Sequence, residues 1–174
     1  PPTADEAADA ASAGELLGSD KERREHGLVV ESIRRGLQPL CGDVLVDPQP
    51  SVLKLARLQH LYTHVSATLR KTTTDADLLK ALHPTPAVGG TPVAAALDLL
   101  LRLERFDRGW YTGPVGWISR DAAEFAVALR CGLVAASRLC LYSGAGIVAG
   151  SDPDVEWREI ESKLGSFLSI LQTS

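Results

Sequence analysis

Three strand-like runs in close succession, Tyr111 to Ile118, Glu124 to Val134 and Arg138 to Ile147, constrain the fold of this chain most. Only short breaks separate them, too short for the helical crossover that parallel neighbours need, so the runs predict a meander of antiparallel strands. A Gly-rich turn carrying Gly144, Gly146 and Gly150 follows, and then a helical pattern from about Pro153 to Leu171. Ser151 or Asp152 can cap that helix, and Pro153 suits its first turn. Upstream, Ser19 and Glu22 form a capping box for a helix from about Asp20 to Leu37, with Val29, Ile33 and Leu37 as its apolar row and Gly42 as its end. Asp43 to Val46 and a longer segment from Val52 to Val65 read as strands parted by the Pro48 and Pro50 turn. Thr74 caps a short helix through Leu82, and Thr91 with Pro92 opens another that runs to about Phe106. The order of elements predicts an α+β fold, antiparallel sheets flanked by helices, rather than alternating βαβ units. Residues 1–14, rich in Ala, Asp and Pro with few large apolar side chains, read as a mobile linker or loop ahead of a domain at 15–174.

The last turn and helix also carry chemistry. Glycines let backbone amides approach an anion without side chains in the way. Glu156, Glu159 and Lys163 then recur at spacings of three and four, so their heads neighbour one another on one helical side. Such a pair is also an ordinary solvated helix feature, worth about 0.3–0.5 kcal/mol. The apolar stripe of Ile160, Leu164, Phe167, Leu168 and Leu171 argues for more, because Glu156 and Lys163 project near its edge, and a carboxylate at a buried margin needs a cation or donors. A metal ion and a carboxylate substrate can be held there together.

Composition narrows the partners. The chain has 174 residues, 45% hydrophobic and 23% charged, enough for one globular core, and lacks an apolar run of the ~20 residues that span a membrane. A net charge of −4, with no basic cluster longer than Lys21 to Arg24, argues against nucleic acid. Cys41, Cys131 and Cys140 fit neither a disulfide framework nor zinc spacing, which favours a reducing compartment and buried apolar roles. No Met occurs anywhere in the sequence, which points to a processed or excised part of something longer.

Six ordered motifs, KERREH at Lys21 to His26, LQHL at Leu58 to Leu61, LHPTPAVGGTP at Leu82 to Pro92, ERFDRGWYTGPVGW at Glu104 to Trp117, ALRCGLV at Ala128 to Val134 and SGAGIVAGSDPDVEWREIESKL at Ser143 to Leu164, together resemble chorismate-binding enzymes. That family includes isochorismate, anthranilate, aminodeoxychorismate and salicylate synthases, and HPTPAVGG with FDRGWYTGPVGW looks most like isochorismate synthase. The resemblance implies a Mg²⁺ ion bridging the ring carboxylate of chorismate to Glu25 and Glu159, with Glu156 contributing through water. Periodicity alone does not choose Glu25 over Glu22 or His26, which share its helix. Arg130 and Tyr111 match the pair that binds the enolpyruvyl carboxylate in relatives, where a planar fork and a phenol suit that anion. On pattern alone an outward, structural Arg130 stays open. The backbone of Gly144, with Lys163, completes the clamp by resemblance, and His60 becomes a polar neighbour of the ring. Ala87 stands where relatives that eliminate pyruvate or insert ammonia more often carry Thr, which favours hydration chemistry at the ring.

One departure from the family counts as much as the match. The lysine base and the glutamic acid that complete isochorismate chemistry lie upstream of the KERREH helix in the family, and Lys54, Lys71 and Lys80 lack their motif. By resemblance, 15–174 is therefore the C-terminal portion of a chorismate-binding domain, with no catalytic proton-transfer residue of its own and the N-terminal half of that domain as partner. Chorismate and isochorismate are the implied ligands, with menaquinone, phylloquinone, salicylate or siderophore biosynthesis downstream, in the cytoplasm or the plastid stroma. The alternatives are a non-catalytic remnant, a regulatory chorismate-binding module, or part of a salicylate- or anthranilate-type synthase.

Overall fold

In a computed structural model, residues 6–55 and 58–171 are described. They form two compact units, divided at Ala87 and Val88. The architecture is α+β with small antiparallel sheets, as the order of elements predicts.

The first unit opens with helix α1, Glu6–Gly18. Residues 6–14 therefore do not form the linker the sequence reading assigns to 1–14: the Ala-rich composition that reads as low complexity is also that of the best helix former. Residues 1–5 lie outside the described residues. Helix α2, Asp20–Leu37, matches its predicted span because its start has a local cause, the Ser19 hydroxyl accepting from the Glu22 amide at 3.3 Å. The chain leaves the helix at Gln38 rather than at Gly42, which falls inside strand β1, Cys41–Val46. The predicted Val52 to Val65 strand divides into β2, Ser51–Leu55, and β3, Leu58–Tyr62, with β4 at Val65–Leu69. β1 pairs with β4 and β2 with β3, both antiparallel.

The centre of this unit is the junction of α2 and β1, where Leu37 and Cys41 are buried. Arg70 Nε and Thr73 Oγ1 donate to the carbonyls of Cys41 and Leu40 at 3.0 and 2.9 Å, tying the end of β4 to the start of β1. Helix α3, Asp75–Leu82, begins with a full capping box between Thr74 and Asp77. It packs closely on α2 because Gly36 has no side chain: a Cβ there would stand 2.5 Å from the Ala81 carbonyl oxygen. α1 is fastened by Asp9, whose carboxylate meets Lys54 Nζ at 3.2 Å while its carbonyl accepts from the Gln59 amide at 3.2 Å.

His26, on α2, bonds Thr63 Oγ1 at 2.7 Å. Burial lowers its pKa from the ordinary histidine value, so the folded state takes up its proton less readily than the unfolded chain. The stabilisation is fully present above the unfolded value of about 6.5 and declines as pH falls below it towards the lower folded value. We expect His26→Gln to flatten the fall in melting temperature between about pH 6.5 and 5; an unchanged pH profile would show that the ring stays solvated.

The second unit follows the short turn α4, Pro86–Gly89, with α5 at Val93–Leu103. Thr91 does not cap α5. Pro92 holds the cap position and no side chain bonds the helix start. Residues 86–103 are together long and apolar enough to resemble a membrane span. Gly90 to Pro92 breaks them, however, leaving an α5 of 11 residues, and such a helix rises about 16 Å against a hydrocarbon core of about 30 Å.

The predicted three-strand meander is four strands in two separate hairpins. β5, Pro114–Ile118, pairs with β6, Ala123–Val127, and β7, Cys131–Ala135, pairs with β8, Arg138–Tyr142. The Glu124 to Val134 run breaks at Arg130, whose φ of 48° lies in the left-handed region. Each hairpin leaves much of its apolar surface uncovered, including Trp117, Ile118 and Val134. Cys140 on β8 is exposed, against the expectation of a buried role, whereas Cys41 is fully buried. Helix α6, Pro153–Leu171, matches its predicted span, and the cap is Asp152, whose carboxylate accepts from the Asp154 and Val155 amides at 3.0 Å each. Of its expected apolar stripe, Ile160 and Leu164 are half-buried and Leu168 is exposed, while the side chains of Phe167 and Leu171 lie outside the described residues.

Candidate functional site

In the second unit the turn after β8 meets both α6 and the segment leading into β5. Tyr111 is 9% exposed and precedes Thr112 at the entry to β5. Its ring stacks on Tyr142 at 5.4 Å between centroids, with 24° between planes, and Phe106 tilts against Tyr142 at 6.2 Å. The hydroxyl end reaches Gly144: a Cβ built on that glycine would stand 2.7 Å from Tyr111 Oη. Lys163, on α6, donates to the Gly144 carbonyl at 2.9 Å and pairs with the Glu159 carboxylate at 2.6 Å. Tyr111, Gly144, Lys163 and Glu159, each marked in the sequence, are thus joined in one continuous arrangement.

The requirement for glycine at 144 follows from that contact. We expect Gly144→Ala to displace the Tyr111 hydroxyl and weaken ligand binding at this site about tenfold or more, with little change in melting temperature because the contact lies at the end of a side chain. Titration calorimetry on the two proteins checks it.

Burial pushes the Tyr111 phenol above its ordinary range, and the Arg108 guanidinium, 5.8 Å from the ring centroid, opposes part of that rise. The hydroxyl therefore stays protonated at neutral pH, a donor suited to an anionic oxygen.

Glu156 lies one turn before Glu159 on α6 and is only 4% exposed. Arg130 is half-buried in the link between β6 and β7, not on a strand as its apolar neighbours imply. Three further residues belong to the first unit. Glu25 is half-buried on α2 with Lys21 Nζ 3.7 Å away, His60 is exposed on β3 opposite Leu53, and Ala87 is exposed in α4.

Glu25, Glu156 and Glu159 are all carboxylates, an oxygen donor set that fits a hard cation such as Mg²⁺, which keeps several waters beside one or two protein carboxylates. Among the described residues no group of three or more His, Cys, Asp or Glu stands ready to hold a metal by itself. Glu25 belongs to the first unit, and Glu156 and Glu159 to the second.

Arg108 and Glu104 carry no role in the sequence reading, yet they anchor the loop that presents Tyr111. The guanidinium takes Glu104 in a two-bonded fork, at 2.6 and 2.5 Å, and also bonds the Val88 carbonyl and Thr112 Oγ1. Their four-residue spacing is the signal the sequence offers, and it resembles any helical surface pair. The Ser143 hydroxyl, beside Gly144, is buried without a hydrogen-bond partner among the described residues.

With this geometry in view, the chain's relatives are informative. Residues 1–172 match the family described as chorismate binding enzyme. The chain belongs to that family. It is 44% identical over 159 residues to isochorismate synthase 2, chloroplastic, of Arabidopsis thaliana, covering 91% of this chain and 28% of the relative. The menaquinone-specific isochorismate synthase of Escherichia coli superposes with a TM-score of 0.88 at 38% identity, over 97% of this chain and 39% of the other. Anthranilate synthase component I of Streptococcus pneumoniae superposes with a TM-score of 0.82 at 31% identity, over 90% of this chain and 37% of the other. The chain therefore spans less than half the length of these relatives.

Proposed function

We propose that this chain is the substrate- and metal-holding portion of an isochorismate synthase, which converts chorismate to isochorismate. The observation that carries the reading is the Tyr111 hydroxyl lying against Gly144, whose carbonyl is bound by Lys163. In this reading the Tyr111 phenol and the Arg130 fork donate to the enolpyruvyl carboxylate, and backbone at Gly144 approaches it without a side chain in the way. Lys163, held by the Gly144 carbonyl and Glu159, keeps the turn and α6 in register while adding positive charge near the anion. His60 is a polar neighbour of the ring. Ala87 leaves the ring wall without the hydroxyl that a Thr would place there. Mg²⁺, held by Glu25, Glu159 and Glu156, would compensate the ring carboxylate. The base and acid come from the N-terminal half of the domain, in the cytoplasm or the plastid stroma.

Likeness to an anthranilate synthase supports a second reading, in which the same carboxylate clamp serves ring amination or pyruvate elimination. Incubating the full-length protein with chorismate and Mg²⁺ and separating the products by chromatography distinguishes the two. Isochorismate without pyruvate is the expected result. Release of pyruvate, whether in this mixture or once ammonia is added to it, would favour the second reading, and binding without turnover would favour a regulatory module.

A further inference from the structure

We infer that the Glu104–Arg108 pair is a positioning device for Tyr111, an inference that rests on the proposed role of Tyr111 in holding a substrate carboxylate. Arg108 is itself poorly placed to catch an anion. Its Nε and Nη2 are given to Glu104 at 2.6 and 2.5 Å, and its Nη1 is shared between the Val88 carbonyl at 2.9 Å and Thr112 Oγ1 at 3.1 Å. What those bonds do is fix the backbone on both sides of Tyr111. Thr112 has φ of 66°, an outlying conformation for a β-branched residue, which persists only where its surroundings hold it. They hold it in three ways. The Thr112 hydroxyl accepts from Arg108 and donates to the Tyr111 carbonyl at 2.6 Å, and the Thr112 amide donates to Ala128 at 2.9 Å.

On the other side, the Tyr111 amide donates to the Arg108 carbonyl at 2.8 Å. The ring thus has the Arg108 guanidinium near it at 5.8 Å and Tyr142 stacked on it at 5.4 Å. With the main chain and the ring both fixed, the hydroxyl has one place to be, against Gly144. A lysine cannot replace the arginine, since one ammonium on a flexible stem does not reproduce a planar fork that bonds a carboxylate, a carbonyl and a hydroxyl together. The same bonding explains why the Glu104 and Arg108 side chains, 25% and 24% exposed, stay half-buried as a charged pair.

The test uses the full-length protein with Arg108→Met, Arg108→Lys, Tyr111→Phe and the Arg108→Met/Tyr111→Phe double variant. Because the enolpyruvyl carboxylate is not among the atoms whose bonds form or break, Arg108→Met is expected to raise the chorismate KM about tenfold while kcat stays within about threefold. Arg108→Lys should not restore it. The double variant should bind no worse than the worse single one, since Arg108 acts through Tyr111; additive losses would overturn the inference. A second measurement needs no substrate. With ring-labelled tyrosine, the Tyr111 ring resonances, assigned by their loss in Tyr111→Phe, should shift and broaden in Arg108→Met, because the ring loses the bonds that hold it stacked on Tyr142. Unchanged ring resonances would also overturn it. Should Arg108→Met fail to fold, Glu104→Gln takes its place in the KM cycle, with a severalfold rise and the same non-additivity expected. If the parent protein binds no chorismate, the proposed function falls while the Tyr111 ring resonances still decide the inference.

Discussion

The 174-residue chain alone, supplied with chorismate and Mg²⁺, should form no detectable isochorismate. Allylic exchange at the ring needs a base to activate water and an acid to protonate the departing hydroxyl, and each such group contributes about 10²- to 10⁴-fold. In the proposed reading both come from the N-terminal half of the domain, and the described lysines are engaged elsewhere or lie outside the motifs. Lys21 stands beside Glu25, Lys54 is paired with Asp9, and Lys163 is bonded to the Gly144 carbonyl and Glu159. Lys71 and Lys80 are exposed on the first unit, outside any family motif. A clamp without its proton-transfer pair keeps substrate orientation and charge compensation but leaves the bond-breaking step unassisted. Chromatography of the reaction mixture is the measurement, and isochorismate formed by the purified chain would overturn the division of labour proposed above.

The same chain should also associate when isolated. Among the described residues there are four sheets of only two strands each, so every described strand has an unpaired edge, and a lone hairpin is marginal in water. Apolar residues on the second unit add to this: Trp110 is 86% exposed and Leu101 83%. Surfaces of that kind are ordinarily covered. Sedimentation should therefore show concentration-dependent oligomers, and a compact monomer with one sharp melting transition would instead indicate a self-sufficient module.

The contrast between helices and strands explains how much could be read from residue order. α2, α3 and α6 could be placed to the residue because each start has a local cause: the Ser19 hydroxyl, the Thr74–Asp77 box and the Asp152 carboxylate. Strand ends depend on partners distant in sequence. The Val52 to Val65 run becomes two strands and the first residue of a third, and its break at Thr63 and His64 has neither Gly nor Pro to announce it. Arg130 shows the same limit, because a left-handed arginine between two hairpins looks identical in sequence to an arginine on a strand. At the site, residues inside distinctive motifs, Tyr111, Gly144, Glu159 and Lys163, were legible together. The Arg108 brace was not, because its bonds to Val88 and Thr112 exist only once the loop has folded.

Glu159→Gln and Glu25→Gln should each weaken Mg²⁺-dependent chorismate binding by about 100-fold in the full-length protein, while Glu161→Gln changes it by less than about threefold. The asymmetry follows from charge. A divalent cation facing a substrate carboxylate relies on anionic protein ligands, and a neutral amide in place of one leaves it undercompensated while preserving the size of the side chain. Glu161 shares α6 with Glu159 but is exposed, where charges contribute little. Glu159 has a second duty, its 2.6 Å pair with Lys163, so Glu159→Gln also loosens the hold on the Gly144 turn. Metal-free titrations separate the two effects. If Glu159 served only Lys163 and Glu25 only Lys21, Glu159→Gln would lose affinity equally with and without Mg²⁺ and Glu25→Gln would change neither titration. Calorimetry with and without the ion across all three variants decides between these outcomes. Equal small effects at Glu25, Glu159 and Glu161 would mean that the spacing on α6 is an ordinary helix face, and the metal assignment would have to be withdrawn.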